Sequence, residues 1–148
     1  METFHFKGEK IMIEFIIPGE PKSKARHRTT KSGVTYTPKD TVNFENWVKQ
    51  CFIIEHKGKF LEGQIKATIK AYFSIPKSYS KKKRASIEEG TLRPTKKPDT
   101  DNLAKSILDS LNGIAYKDDS AIVTLQVDKY FANEPRVEVI LEVIGELI

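Results

Sequence analysis

Residues 64–75 read Gln-Ile-Lys-Ala-Thr-Ile-Lys-Ala-Tyr-Phe-Ser-Ile, and this stretch decides the fold class of the chain. Apolar and polar side chains alternate along it, a period of two that predicts a half-buried β-strand. We expect the strand to end at Pro76, which lacks the amide proton that a sheet requires. One face of this strand must be covered by other apolar elements, and the flanking sequence supplies them.

Two helices are predicted on either side of this strand from the spacing of apolar residues. The second covers 101–111, and Asn112-Gly113 provides its C-terminal stop. A short charged helix, 81–89, follows Ser80 as its N-cap. The first helix begins at Pro38 and ends before Gly58, with an apolar face made of Val42, Trp47, Val48, Cys51, Phe52 and Ile54.

Further strands are predicted at 11–17, 121–131 and 137–144. The order of these elements predicts an α+β fold, a single domain in which a small mixed β-sheet is packed with helices. The first ten residues precede the first strand and are interpreted as a mobile tail. The folded domain is then expected to cover 11–148.

Composition excludes several classes of protein. The chain has 148 residues, of which 39% are hydrophobic and 30% charged, as expected for one globular domain. No apolar run approaches the roughly 20 residues of a membrane span. The N-terminal residues do not resemble a secretion signal, so we expect a cytoplasmic protein with no membrane partner. The single cysteine, Cys51, excludes an internal disulfide framework and is interpreted as a buried thiol.

Charge is distributed unevenly along the chain. Residues 1–98 carry 21 Lys and Arg against 10 Asp and Glu, whereas residues 99–148 carry 4 against 10. Basic residues neutralise a phosphate backbone, and clustered carboxylates attract hard divalent cations. The combination predicts metal-assisted chemistry on nucleic acid.

The acidic residues gather in 99–119, which reads Asp-Thr-Asp-Asn-Leu-Ala-Lys-Ser-Ile-Leu-Asp-Ser-Leu-Asn-Gly-Ile-Ala-Tyr-Lys-Asp-Asp. Asp99 and Asp101 lie where the predicted helix begins, and Asp118-Asp119 follows the helix stop. A strand running back beside the helix would return a carboxylate to the first pair. Several carboxylates at one point repel each other unless a cation lies between them, and Mg²⁺ suits such a site. Lys105, one turn from Asp101, is placed to neutralise charge developing on a phosphate or to position the attacking water.

Each of these residues also has a purely structural interpretation. An Asp before an apolar helix is commonly an N-cap. Asp101 and Lys105 are spaced for an exposed i,i+4 ion pair, and Asp118-Asp119 suits a turn. Asp109 is interpreted as a surface or structural residue. The residues taken alone leave both the metal site and these roles open.

Two basic segments are candidate phosphate contacts. Lys96 and Lys97 directly precede Asp99 and are predicted to meet phosphate near the metal. A loop without apolar periodicity is predicted to position DNA without reading its bases, with a solvated surface loop as the alternative; its basic residues are Lys22, Lys24, Arg26 and Arg28.

The acidic motif resembles the signature of a known family. Asp-x-Asp-Asn-Leu-x-Lys, followed by Asn-Gly, a Tyr and Asp-Asp, is similar to the pattern of the RusA family of Holliday junction resolvases of bacteria and their phages. Residues 15–26 also resemble that family's first strand and basic loop. The resemblance implies that Asp99, Asp101 and Asp119 are the catalytic, metal-binding carboxylates and that Lys105 is the functional lysine, with Asp118 as an accessory ligand.

The resemblance further implies a substrate and an assembly. It indicates a homodimer that binds four-way branched DNA and resolves Holliday junctions by symmetric paired nicks, with Mg²⁺ as cofactor and Mn²⁺ as a substitute. A two-fold junction is most simply cut by a two-fold protein. Two alternatives stay open: a non-catalytic, structure-selective DNA-binding module, and a less selective nuclease acting on flaps or single strands.

Overall fold

A four-stranded β-sheet organises the protein. The computed structural model describes residues 2–4, 11–22, 28–36 and 39–147. A 3₁₀ helix, Asp119–Ala121, precedes the seventh strand. The other elements follow in the order β1 (Glu2–Phe4), β2 (Ile11–Pro18), β3 (Arg28–Thr29), β4 (Thr35–Tyr36), α1 (Lys39–His56), β5 (Lys59–Leu61), β6 (Gln64–Ser74), α2 (Lys81–Glu88), α3 (Thr100–Ser110), β7 (Ile122–Ala132) and β8 (Arg136–Gly145).

The strands of this sheet lie in the order β2-β8-β6-β7. β8 is antiparallel to both β2 and β6, whereas β6 and β7 are parallel. β7 and β8 are consecutive in the chain, yet β6 lies between them. On β6, Lys70 stands opposite Asp128 of β7 and Glu138 of β8, two cross-strand pairings of opposite charge. The mixed sheet confirms the predicted α+β class.

The core lies between one face of the sheet and two helices. α1 packs against β2 and α3, and α3 also contacts β7. β6 directs alternate side chains to this face, as the period of two predicts, and those side chains are almost completely buried: Ile65, Ala67, Ile69, Ala71 and Phe73.

The predicted apolar face of α1 is only partly correct. Phe44, Val48 and the 51–52 pair are buried at the spacing of one helical stripe. Trp47 and Ile54 were predicted to belong to this face, and that prediction is wrong, because they are 42% and 74% exposed. They lie seven residues apart on the flank of the stripe, and the Trp47 indole instead donates to the Pro18 carbonyl at 3.0 Å.

Two smaller pairings complete the fold. β1 pairs in parallel with β5, and β3, which lies within the segment predicted as a basic loop, pairs antiparallel with β4 just beyond it. Met1 and residues 5–10, which make up most of the predicted mobile tail, lie outside the described residues. Within the parts of the chain that the structure describes, no helix is long and apolar enough to cross a membrane.

Candidate active site

The first pair of carboxylates lies at the N-terminus of α3. Asp99 occupies the N-cap position, but its side chain makes no capping hydrogen bond to the helix. Its carboxylate accepts a hydrogen bond from the Asn102 amide at 3.2 Å and lies beside Asp101. The hydrogen bond from its own backbone amide, aided by Asn102 and Lys97, holds the pKa of Asp99 below its ordinary value. Asp99 is therefore an exposed, ionised carboxylate whose oxygens are not used to cap the helix.

Lys105 lies further along the same face of α3. Its ammonium group is 3.6 Å from the carboxylate of Asp109, one turn toward the C-terminus. The Lys105 side chain is 64% exposed and that of Asp109 is 20% exposed. Such an exposed i,i+4 pair contributes about 0.2–0.5 kcal/mol, so it orients the lysine without removing it from solvent.

A tight turn brings the chain back along α3. Gly113 adopts a φ of 75°, which favours glycine, and its amide donates to the Tyr116 carbonyl at 2.7 Å. The buried Tyr116 hydroxyl donates to the Leu108 carbonyl at 2.6 Å. The Asn112 side chain accepts from the backbone amide of Asp119 at 2.8 Å. These bonds place Asp119 beside the C-terminal half of α3.

The two adjacent aspartates after this turn have opposite environments. Asp118 caps the 3₁₀ helix that precedes β7, where its side chain accepts from the Ser120 amide at 2.9 Å. The Ser120 side chain and amide hold the pKa of Asp118 below its ordinary value. The Asp119 carboxyl group is hydrogen-bonded to that of Asp109, and burial, followed by the charges of Asp109 and Asp118, raises the pKa of Asp119.

The carboxyl groups therefore form two pairs with Lys105 between them. We call Asp99, Asp101, Lys105, Asp109 and Asp119 the acidic strip. Asp101 and Asp109 are eight residues apart on one helix, a rise of about 12 Å. Across residues 2–4, 11–22, 28–36 and 39–147, no three His, Cys, Asp or Glu side chains are grouped to hold a metal ion. The structure joins Asp119 to Asp109 and does not gather Asp99, Asp101 and Asp119 at one point.

The Asp99 and Asp101 pair has the chemistry that Mg²⁺ requires. Mg²⁺ is commonly held by one or two carboxylates, with waters and substrate phosphates completing its coordination. The carboxylates are hard oxygen donors, and the lowered pKa of Asp99 keeps it ionised at neutral pH. Both side chains are exposed and so accessible to a phosphate.

The predicted basic loop begins against the acidic strip. The buried Ser106 hydroxyl donates to the Leu103 carbonyl at 2.8 Å and lies 3.2 Å from the Lys22 carbonyl, which places the Lys22 backbone next to α3. Lys96 and Lys97 are exposed in the segment 91–98, which we call the connector. Lys24 and Arg26 lie outside the described residues, as does the side chain of Arg28.

Sequence reasoning did not single out Arg93 and Lys129, which bind the connector to β7. For Lys129 the sequence carries a signal. In β7 it occupies the same alternating register as three apolar residues, Leu125, Val127 and Phe131, which pair with the buried residues of β6, so a charged side chain lies on a face of the sheet where an apolar one is expected. Arg93 shows no comparable pattern.

Comparison with known proteins identifies the class to which this fold and site belong. The family model described as Endodeoxyribonuclease RusA matches residues 18–142, most of the chain. The chain therefore belongs to the RusA endodeoxyribonuclease family, which confirms the resemblance seen in the acidic motif. It is 38% identical over 134 residues to an uncharacterized protein of Bacillus subtilis strain 168, YqaN, covering 87% of this chain and 94% of that protein.

Proposed function

We propose that this protein is a Mg²⁺-dependent endodeoxyribonuclease that resolves Holliday junctions by symmetric paired nicks in DNA recombination or repair. Membership of the RusA family supports the reaction class. The acidic strip is the observation that carries the assignment, because exposed carboxylates flank an exposed lysine beside the start of a basic loop.

In this proposal Asp99 and Asp101 hold the divalent ion, with Mn²⁺ as a substitute for Mg²⁺. A divalent ion at such a site lowers the pKa of bound water and stabilises charge on the leaving oxygen. Lys105 places its ammonium group against the scissile phosphate, where it stabilises the charge that develops as the bond to the leaving oxygen breaks. Its contact with Asp109 holds the lysine on the face that also carries Asp101.

Asp119 is the third proposed catalytic carboxylate, and Asp118 is proposed as an accessory ligand. For Asp119 to join Asp99 and Asp101, its carboxyl group would have to leave Asp109, and the turn that carries it would have to move toward the N-terminus of α3, because Asp101 and Asp109 are separated by about 12 Å along the helix. A bound divalent cation would favour that change, because it would replace a contact between two acidic groups by one between opposite charges. Asp109 would then retain Lys105 as its partner.

The proposed DNA contacts are phosphate contacts, which position the substrate without reading its sequence. We further propose that the protein is a cytoplasmic homodimer, since two symmetric nicks in a two-fold junction require two active sites. Analytical ultracentrifugation with and without a junction tests the assembly. The residues proposed to meet phosphate are Lys22, Lys24, Arg26, Arg28, Lys96 and Lys97.

The decisive test uses a labelled synthetic four-way junction with Mg²⁺ added or withheld. We expect paired nicks only with Mg²⁺ or Mn²⁺, and we expect Asp101→Asn to abolish them while junction binding survives. Glu134→Gln is the matched control, because it neutralises an exposed carboxylate in the β7–β8 turn, away from the acidic strip. Full cleavage by Asp101→Asn would overturn the assignment of the site.

A panel of substrates separates the alternatives. Comparable cleavage of flaps or single strands would indicate a less selective nuclease. Tight junction binding without cleavage under any divalent metal would indicate a binding module.

A further inference from the structure

The connector is bound to the edge strand β7 by two reciprocal hydrogen bonds. The Arg93 guanidinium Nε donates to the Lys129 carbonyl at 2.8 Å. In the other direction, the Lys129 ammonium donates to the Lys96 carbonyl. Each residue thus binds the backbone of the opposite segment, and the two bonds lie three and six residues before Asp99. We call Arg93 and Lys129 the clamp.

Arg93 is held in place by two further groups on β7. Its Nη2 atom is 2.9 Å from the Asp128 carboxylate. Its guanidinium carbon lies 4.6 Å from the centre of the Tyr130 ring. Gln126 donates to the same carboxylate at 3.0 Å, and Gln126 and Arg93 together lower the pKa of Asp128. An isolated surface ion pair contributes little, but here the ion pair, the ring and the carbonyl fix one orientation of the guanidinium.

Lys129 links the clamp to the candidate active site. Its ammonium group lies 5.3 Å from the centre of the Phe73 ring, at the end of the buried face of β6. The hydrogen bond to the Lys96 carbonyl holds the Lys129 ammonium group against the connector backbone, three residues before Asp99, the first carboxylate of the acidic strip.

The tyrosines on the opposite face of the sheet are already covered. Tyr130 stacks on Tyr72 with a centroid distance of 5.4 Å, and Arg136 covers Tyr72 at 4.0 Å. Arg93 and Arg136 thus each contact one ring of the tyrosine pair, and the contact with Tyr130 helps to orient Arg93 toward the connector.

We propose that Arg93 and Lys129 are positioning residues that lock the connector onto β7 and so fix the Asp99 and Asp101 carboxylates for metal binding. The inference rests on the proposed function. Neither residue contacts the reacting phosphate; both act through the backbone that leads into α3. Groups that orient metal ligands in this way commonly change metal affinity or activity by about 10- to 100-fold when they are removed.

The test compares Arg93→Gln and Lys129→Met with a matched control, Arg136→Gln. Arg136 also forms an ion pair at 2.9 Å and lies over a tyrosine of the same stack, but it holds only β8 and the β7–β8 turn. For each protein, Mn²⁺ binding without DNA is measured by electron paramagnetic resonance. Junction cleavage is resolved into kcat and KM, and thermal unfolding reports stability.

We expect both clamp variants to weaken Mn²⁺ binding and to lower kcat, each by about 10- to 100-fold, with KM unchanged. Arg136→Gln should lower the melting temperature without changing Mn²⁺ affinity or kcat. Lys129→Arg keeps a cationic donor and should retain most of the Mn²⁺ affinity, which separates loss of the hydrogen bond from loss of folding in Lys129→Met. Arg93→Lys likewise keeps a cationic donor at the other position of the clamp and should retain most of the Mn²⁺ affinity.

These measurements distinguish failure of the inference about the clamp from failure of the proposed function. If the clamp variants lose stability but keep the Mn²⁺ affinity and kcat of Arg136→Gln, the inference is overturned and the proposed function stands. If the unmodified protein cleaves no DNA with any divalent metal, the proposed function fails, and the Mn²⁺ affinities of the same variants decide whether the clamp positions the carboxylates.

Discussion

The carboxyl group of Asp119 is hydrogen-bonded to that of Asp109, although the two residues lie on different elements and both are acidic. The Lys105 ammonium group is 3.6 Å from the Asp109 carboxylate, so a single cation lies beside this pair of carboxyl groups. Burial, followed by this pairing with Asp109, raises the pKa of Asp119, and the two carboxyl groups give this part of the protein an excess of negative charge at neutral pH. Either a bound divalent cation or protonation of a carboxyl group would reduce this uncompensated negative charge, and the effect of each can be measured.

The two adjacent aspartates should respond to neutralisation in opposite directions. The folded-state pKa of Asp119 lies above its ordinary value of 3.8. The folded state therefore holds this proton more tightly, and stability falls as pH rises through that interval. In metal-free protein, Asp119→Asn should raise the melting temperature at pH 7 by on the order of 2 °C, and this gain should vanish below pH 3.8.

Asp118→Asn supplies the contrast. The folded-state pKa of Asp118 is depressed by Ser120, so its ionised form stabilises the fold above the ordinary 3.8, and that stabilisation disappears as pH falls through the folded value. The variant should be less stable than the unmodified protein at pH 7. Thermal unfolding in EDTA from pH 3 to pH 8 checks both substitutions. A loss of stability in Asp119→Asn at pH 7 would show that the acidic pair is not repulsive.

Cleavage by variants of Asp119 and Asp109 should identify which of the two is the metal ligand. If Asp119 is the third catalytic carboxylate, Asp119→Asn loses junction cleavage and Mg²⁺ concentration does not restore it. Asp109→Asn removes the partner of Lys105 and should lower kcat by about 10- to 100-fold, as expected for a residue that orients the site. Cleavage rates of both variants, measured across a Mg²⁺ titration, test whether the loss in Asp119→Asn is the larger of the two. A greater loss in Asp109→Asn than in Asp119→Asn would reverse the two assignments.

The sequence predicted where the candidate site residues lie along the helix and the turn after it, but not how they pair. The helical period of 101–111 and the acidic residues before it follow from local spacing, and α3 begins within one residue of its predicted start. The pairing of Asp119 with Asp109 depends on where the turn through Gly113 returns the chain. That is set by the hydrogen bonds of Asn112 and Tyr116, which local spacing does not reveal.

Tyr116 should prove more important for stability than for chemistry. Its hydroxyl is buried and donates to the Leu108 carbonyl at 2.6 Å, and burial raises its pKa so that the hydroxyl remains a donor at every working pH. Tyr116→Phe removes this bond and leaves the Leu108 carbonyl with the Leu111 amide as its donor at 3.2 Å, so the substitution should cost about 0.5–1.5 kcal/mol. Urea unfolding measures the loss, with Tyr130→Phe as a half-buried control. Equal effects of the two substitutions would contradict a structural role for the Tyr116 hydrogen bond.

The sequence predicted those parts of the fold in which apolar residues repeat with a single period. It did not predict the features that depend on how neighbouring elements pack. The alternation of residues 64–75 gave the buried face of β6 correctly, because the period of a strand does not depend on its neighbours. The exposure of Trp47 and Ile54 depends on how far the sheet extends beneath α1. The insertion of β6 between β7 and β8 is likewise a property of the whole sheet, which no local pattern records.

The basic loop should control the salt dependence of junction binding. Lys22 is exposed and its backbone is anchored to α3 through Ser106, so the loop starts beside the acidic strip. Replacing Lys22, Lys24 and Arg26 together by Gln should weaken binding and reduce the slope of log K against log salt by about 0.9 for each phosphate that is no longer neutralised. Lys81→Gln, Lys82→Gln and Lys83→Gln together form the control, since these three lysines are exposed on α2 and the variant removes the same number of charges. Binding is measured in Ca²⁺ across a salt series on junction and duplex.

If the loop binds phosphates, the triple variant changes the slope for the junction more than the α2 variant does. Equal slopes in the two variants would show that charge alone, and not the position of the loop beside α3, governs DNA binding.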